Sequence, residues 1–170
     1  MSEPRSIALI GMMGAGKSTL APLVAAELKL DWIDIDAQIE ARLGKSIVSI
    51  FAEDGKEHFR DLESEQLAQS LAKSPAVIAT GGGCVLRTKN RDLLAGCRCA
   101  YLELPDHELI RRIGDGGNRP LLDANQLSDQ ISQLLAERTS IYRQLADCTV
   151  RIDKPEAPQD TCRRIVAALA

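Results

Sequence analysis

Apolar and polar positions fall into alternating blocks along this chain. Short runs rich in aliphatic residues, Ser6–Ile10, Asp31–Ile35, Ala76–Thr80, Arg98–Leu104 and Thr149–Ile152, have strand length and strand composition. Between them apolar residues recur every three to four positions, as in Leu20, Val24 and Leu28, which is the period of a helix with one buried face. This spacing predicts helices at about Lys17–Lys29, Ala37–Leu43, Ile47–Ala52, Glu57–Ala72, Lys89–Leu94, Asp106–Ile113, Ser128–Ala146 and Pro158–Ala168. Ser46, Asp106 and Ser128 stand where N-caps are expected. Strands separated by helices predict an α/β domain, a five-stranded parallel sheet flanked by helices on both faces. Ligands of such sheets gather at the carboxyl ends of the strands, so functional residues are expected just after each one.

The first strand runs into Gly11-Met12-Met13-Gly14-Ala15-Gly16-Lys17-Ser18-Thr19, a phosphate-binding loop that opens a helix. Its glycines let successive N–H groups face phosphate oxygens, Lys17 adds a positive charge toward the β- and γ-phosphates, and the Ser18 hydroxyl can ligate Mg²⁺. The helix N-terminus behind the loop favours an anion. After the second strand come Asp34 and Asp36, which in an extended segment point to one side and suit Mg²⁺ and a hydroxyl. Asp36 could instead cap the next helix. Gly81-Gly82-Gly83 follows the third strand, where three costly glycines favour close approach of a ligand to the main chain. Residues 114–122 are glycine-rich and carry Arg119, which fits a lid that excludes water and places a cation on transferred charge; a surface loop with a solvated arginine is the plainer alternative. Arg60 and Arg138, taken alone, read as solvated helix faces.

Composition narrows the classes. A chain of 170 residues suits one domain, and 45% hydrophobic with 26% charged residues is ordinary for a globular protein. A net charge of −3 argues against a nucleic-acid partner. No apolar run is long enough for a bilayer and the start lacks a signal-peptide pattern, so no membrane partner and a cytoplasmic location are expected. Five cysteines, an odd number without a C-x-x-C pair, read as buried free thiols. His58 and His107 are expected at the surface.

In combination these segments resemble the shikimate kinases over nearly the whole chain: the Gly11–Thr19 loop, Asp34-Ile35-Asp36, Gly55 with Phe59-Arg60-Asp61-Leu62-Glu63, Gly81-Gly82-Gly83, Arg119-Pro120-Leu121-Leu122, and Glu137-Arg138 with Tyr142. The resemblance implies a P-loop kinase fold with a substrate-binding region at about 34–63 and a short lid at about 114–124. It implies ATP and shikimate as small-molecule substrates, Mg²⁺ as cofactor, transfer of phosphate to the 3-hydroxyl, and a monomer. By position it implies Lys17, Asp36 and Arg119 as catalytic; Gly14, Ala15, Gly16, Lys17, Ser18, Thr19, Arg112, Arg119 and Lys154 as ATP-binding; Asp36, Arg60, Gly81, Gly82, Gly83 and Arg138 as shikimate-binding; and Ser18 and Asp34 around the metal. Phe51, Phe59 and Glu63 match residues that line or brace the substrate pocket. Gln144 departs from the glutamate that similar proteins often carry there. A gluconate kinase and a catalytically silent module that kept the fold are the rival readings. The Phe59-Arg60 segment with Gly81–Gly83 argues against the first, and retention of Lys17, Asp36 and Arg119 against the second.

Overall fold

A computed structural model describes residues 5–73, 75–114 and 126–170. Five strands, β1 (Ile7–Ile10), β2 (Asp31–Asp34), β3 (Ala76–Ala79), β4 (Arg98–Glu103) and β5 (Cys148–Arg151), form one parallel sheet in the order β2-β3-β1-β4-β5. The two all-aliphatic strands, β1 and β3, are buried at every position and lie inside the sheet, whereas β2 at an edge is exposed at Asp31 and Trp32. That is the burial a parallel sheet covered on both faces requires.

The helices are α1 (Lys17–Leu28), α2 (Ile35–Leu43), α3 (Ile47–Leu71), α4 (Thr88–Leu94), α5 (Asp106–Ile113), α6 (Leu127–Leu145) and α7 (Pro158–Leu169), with a 3-10 turn at Cys84–Leu86. Leaving β1 the chain moves one way across the sheet to β2, and later crossovers run back the other way. With right-handed crossovers that reversal puts α1 on one face and the β2–β3, β3–β4 and β4–β5 connections on the other. After β5, α7 packs against α1 and completes the first face. The same reversal beside β1 opens the crevice into which the phosphate loop projects.

Several boundaries differ from the pattern-based expectation. The segments expected as two helices at Ile47–Ala52 and Glu57–Ala72 form the single helix α3, bent where Gly55 adopts φ 85°, ψ 167°. Ser46 does cap it, accepting from Ser49 N at 3.1 Å. Asp106 and Ser128 are not caps. Pro105 holds the extended conformation before α5, so Asp106 becomes its first residue and accepts from the adjacent His107 N. Burial of Leu127, 7% exposed, draws the start of α6 forward of the exposed Ser128. All five cysteines are free and both histidines are exposed, as expected, and four of the thiols are buried, whereas Cys148 at the start of β5 is half-buried.

Candidate active site

Three segments at the carboxyl ends of β1, β2 and β3 meet in the crevice. The phosphate loop turns into α1 through Gly16, whose φ of 97° is left-handed. It lies under α5, because a Cβ on Gly14 would stand 2.9 Å from Ile113 Cγ1. Lys17 is 7% exposed, and its Nζ donates to Gly11 O at 2.6 Å and Met12 O at 2.7 Å, which holds the ammonium inside the loop. Gly14, Gly16, Lys17, Ser18, Thr19 and Arg112 line a cavity of about 330 Å³ in front of it. Ala15 is fully buried and offers only backbone, its carbonyl accepting from Arg112 Nη1 at 3.3 Å.

At the end of β2 the strand stops earlier than expected. Asp34 accepts from Ala37 N at 3.0 Å and is itself the cap of α2, so Asp36 lies in the first helical turn and not in an extended segment. Helical geometry still turns Asp36 inward, and it borders both cavities. Burial, then repulsion from Glu63 and Asp34, pushes its carboxyl up to about 7, while Lys17 and Arg60 pull the other way. Ser18 Oγ donates to Asp34 Oδ2 across the end of the loop. Ser18 lines the phosphate-loop cavity and Asp34, bonded to it, lines the neighbouring one, so two hard oxygen donors stand together where they fit Mg²⁺, which takes most of its ligands from phosphates and water. Among the described residues no group of three or more His, Cys, Asp or Glu could hold a metal, so any such ion would depend on those outside ligands.

The second cavity, about 450 Å³, is bordered by Asp36, Phe59, Arg60, Glu63, Gly81 and Arg138. Arg60 and Arg138 are 5% and 1% exposed and not solvated. Arg60 Nη1 pairs with Glu63 Oε2 at 2.7 Å, and its guanidinium carbon stands 5.4 Å from the Phe59 ring centroid. Yet Arg60 Nε, Arg138 Nε, Arg138 Nη1, Asp36 Oδ1 and Glu63 Oε1 are buried without hydrogen-bond partners. Unmet buried donors are costly unless a ligand meets them, and three of these five are guanidinium N–H groups. The glycine run exists for contact. A Cβ on Gly83 would overlap the Arg60 guanidinium, and one on Gly81 the Glu63 carboxylate. Tyr142 donates its hydroxyl to Gly82 O, and its ring stacks on Tyr101 at 5.0 Å, fixing the glycine segment from α6.

The expected residues are therefore gathered, with exceptions. Lys154 is exposed and borders neither cavity. Arg119 and most of the expected lid lie outside the described residues. Gln144 is exposed on α6, away from both cavity linings. Sequence reasoning missed Glu108, 2% exposed, which binds both Arg111 and Arg112; one of two acids in a first helical turn gives no sign of burial. It also missed the anchoring bond from Tyr142.

A parallel sheet with a phosphate loop at its central strand, beside a second cavity armed with buried arginines, defines a P-loop kinase of small molecules. The solved gluconokinase of Sinorhizobium meliloti shares that fold, with a TM-score of 0.56 and 19% identity over 99% of this chain and 93% of its own. The chain belongs to the shikimate kinase family: the family model for shikimate kinase matches residues 13–170. A shikimate kinase of Thermobifida fusca is 42% identical over 168 residues, covering 99% of this chain and 96% of its own. The solved shikimate kinase of Acinetobacter baumannii, in complex with shikimate, superposes with a TM-score of 0.93 at 31% identity, covering 98% of this chain and 93% of that one. No helix among the described residues is long and apolar enough to cross a membrane.

Proposed function

We infer that this chain transfers the γ-phosphoryl group of ATP to the 3-hydroxyl of shikimate, giving ADP and shikimate 3-phosphate on the route to aromatic amino acids. The observation that carries this reading is the set of guanidinium N–H groups of Arg60 and Arg138 that lack hydrogen-bond partners, buried in a cavity that shares Met13, Ser18, Asp36, Gly81 and Gly82 with the phosphate-loop cavity. Forked donors in a desolvated site suit a carboxylate. Shikimate carries one carboxylate and three hydroxyls, and Asp36 and the glycine backbone suit the hydroxyls.

Phosphoryl transfer passes through a loose transition state, so catalysis is mostly alignment and charge neutralisation. Gly14–Thr19 hold the phosphates, Arg112 and Lys154 serve the nucleotide, and Lys17 stabilises charge on the transferred group. Ser18 and Asp34 are the residues that would hold Mg²⁺ beside the phosphates, where it would supply further charge neutralisation. Arg60 and Arg138 hold the acid so that its hydroxyl lies at Asp36, which aligns it and accepts its proton as the new O–P bond forms. Arg119, from the lid, meets the developing charge. The protein acts in the cytoplasm as a monomer.

Shikimate-dependent ADP release with Mg²⁺ is the test, with gluconate as a control acid. Asp36→Asn should lower kcat by about 10²–10⁴-fold, the range for loss of a general base. Release with gluconate and none with shikimate would overturn the reading.

A further inference from the structure

On α5 two adjacent arginines share one buried carboxylate. Glu108 Oε2 accepts from Arg111 Nε at 2.8 Å, while Oε1 accepts from Arg111 Nη2 at 2.7 Å and Arg112 Nε at 2.8 Å. The two guanidiniums then diverge. The Arg111 side chain is 57% exposed and that of Arg112 23%, and Arg112 borders the phosphate-loop cavity. The helix is registered on the loop through Ile113 against Gly14, and Arg112 Nη1 reaches Ala15 O at 3.3 Å. A long arginine side chain has many rotamers, and its planar fork binds well only when its orientation is fixed.

We propose that Glu108 is a positioning residue for the nucleotide: it fixes the Arg112 guanidinium toward the phosphate-loop cavity before ATP arrives. The proposal rests on the assignment of Arg112 to ATP made above. It opposes what charge alone dictates. A carboxylate beside a polyphosphate site repels the ligand, so neutralising Glu108 should tighten ATP if its charge were all that mattered. Orientation of Arg112 makes the opposite demand, that neutralising it should weaken ATP.

Steady-state kinetics and calorimetric ADP binding on Glu108→Gln, Arg112→Ala and the double variant separate the two. Glu108→Gln should raise the KM for ATP and the Kd for ADP about tenfold, the weight of a lost charge-assisted contact. The KM for shikimate and kcat should stay within about twofold, as should all constants of Arg111→Ala. In the Arg112→Ala background Glu108→Gln should add nothing, because the two act as one unit. An unchanged or tighter KM for ATP in Glu108→Gln overturns the proposal, as does an equal penalty in the Arg112→Ala background. A role in folding alone would lower Tm without moving the KM for ATP, which also overturns it. Should Glu108→Gln fail to fold, Glu108→Asp decides, since its shorter side chain cannot span both arginines; a raised KM for ATP is expected and an unchanged one is fatal. Normal ATP kinetics in Arg112→Ala would remove the nucleotide role of Arg112 and this proposal with it, while shikimate-dependent turnover of the unaltered protein reports on the family reaction independently.

Discussion

Arg60 and Arg138 are the residues whose chemistry says most, because each keeps at least one buried guanidinium nitrogen without a hydrogen-bond partner. Their unequal surroundings give different consequences on removal. Arg60 neutralises Glu63, which is fully buried and whose carboxyl burial already pushes upward. Arg60→Ala strands that carboxylate and should destabilise the fold by about 3–5 kcal/mol, much of which Glu63→Gln in the same chain should restore. Denaturant unfolding of the single and double variants measures this. For binding, each arginine variant should raise the KM for shikimate by about 10–150-fold, the loss of a charge-assisted contact, with the KM for ATP unmoved. Lysine at either position should rescue poorly. A shift confined to ATP would contradict the carboxylate clamp. None of this burial was visible in the pattern, since a helical period shows that a residue lies on a face and not what covers that face. The resemblance, and not the periodicity, singled out these two arginines.

Among the elements, α3 departs most from expectation. The spacing of apolar residues suggested two helices, Ile47–Ala52 and Glu57–Ala72, yet the flanking turns continue through a conformation open in practice to glycine only, φ 85° with ψ 167° at Gly55. No neighbour lies within 4 Å of where a Cβ would stand there, so Gly55→Ala isolates backbone strain from crowding. It should cost about 1–3 kcal/mol in stability. Because Val48 and Phe51 precede the bend and border the acid cavity, the KM for shikimate should rise as well. Wild-type stability and KM together would mean that the bend survives without glycine. In α5 the arginine pair holds the Glu108 carboxyl down to about 2, against about 4.3 for an unpaired glutamate. The sign follows: a depressed acid adds stability above its unfolded value and loses it as pH falls from about 4.3 toward 2. The Tm gap between the unaltered protein and Glu108→Gln should therefore narrow over that window. A gap independent of pH would show that the ion pairs contribute nothing to folding. Helices and strands were legible here because short aliphatic runs alternate with longer segments of helical spacing, while caps failed where Pro105 and Leu127 set the start instead of the polar residue beside them.

For the molecule as a whole, the number of strands and their parallel sense followed from the alternation of strand and helix. Their order, β2-β3-β1-β4-β5, did not, because the pairings join residues far apart in sequence, such as Ile7 with Val77 and Arg98. The thiols are dispersed through this core. Burial pushes Cys97 up to about 11 and Cys99 up to about 12, so little reactive thiolate forms at neutral pH. A disulfide-exchange reagent should find the half-buried Cys148 first in the native protein and all five thiols after denaturation without reductant. A consistent deficit of two on denaturation would reveal a disulfide.

The partition between the two cavities is little more than the glycine segment, with Met13, Ser18 and Asp36 bordering both sides. Two compartments that share a wall so thin can be occupied by one molecule. A compound joining a carboxylated ring to a polyphosphate through a short tether would enter both at once, its second end delivered at the high effective concentration of an intramolecular step. Such a compound would gain over either half alone by a factor set by tether length, with the optimum at the span between the arginine fork and the phosphate loop.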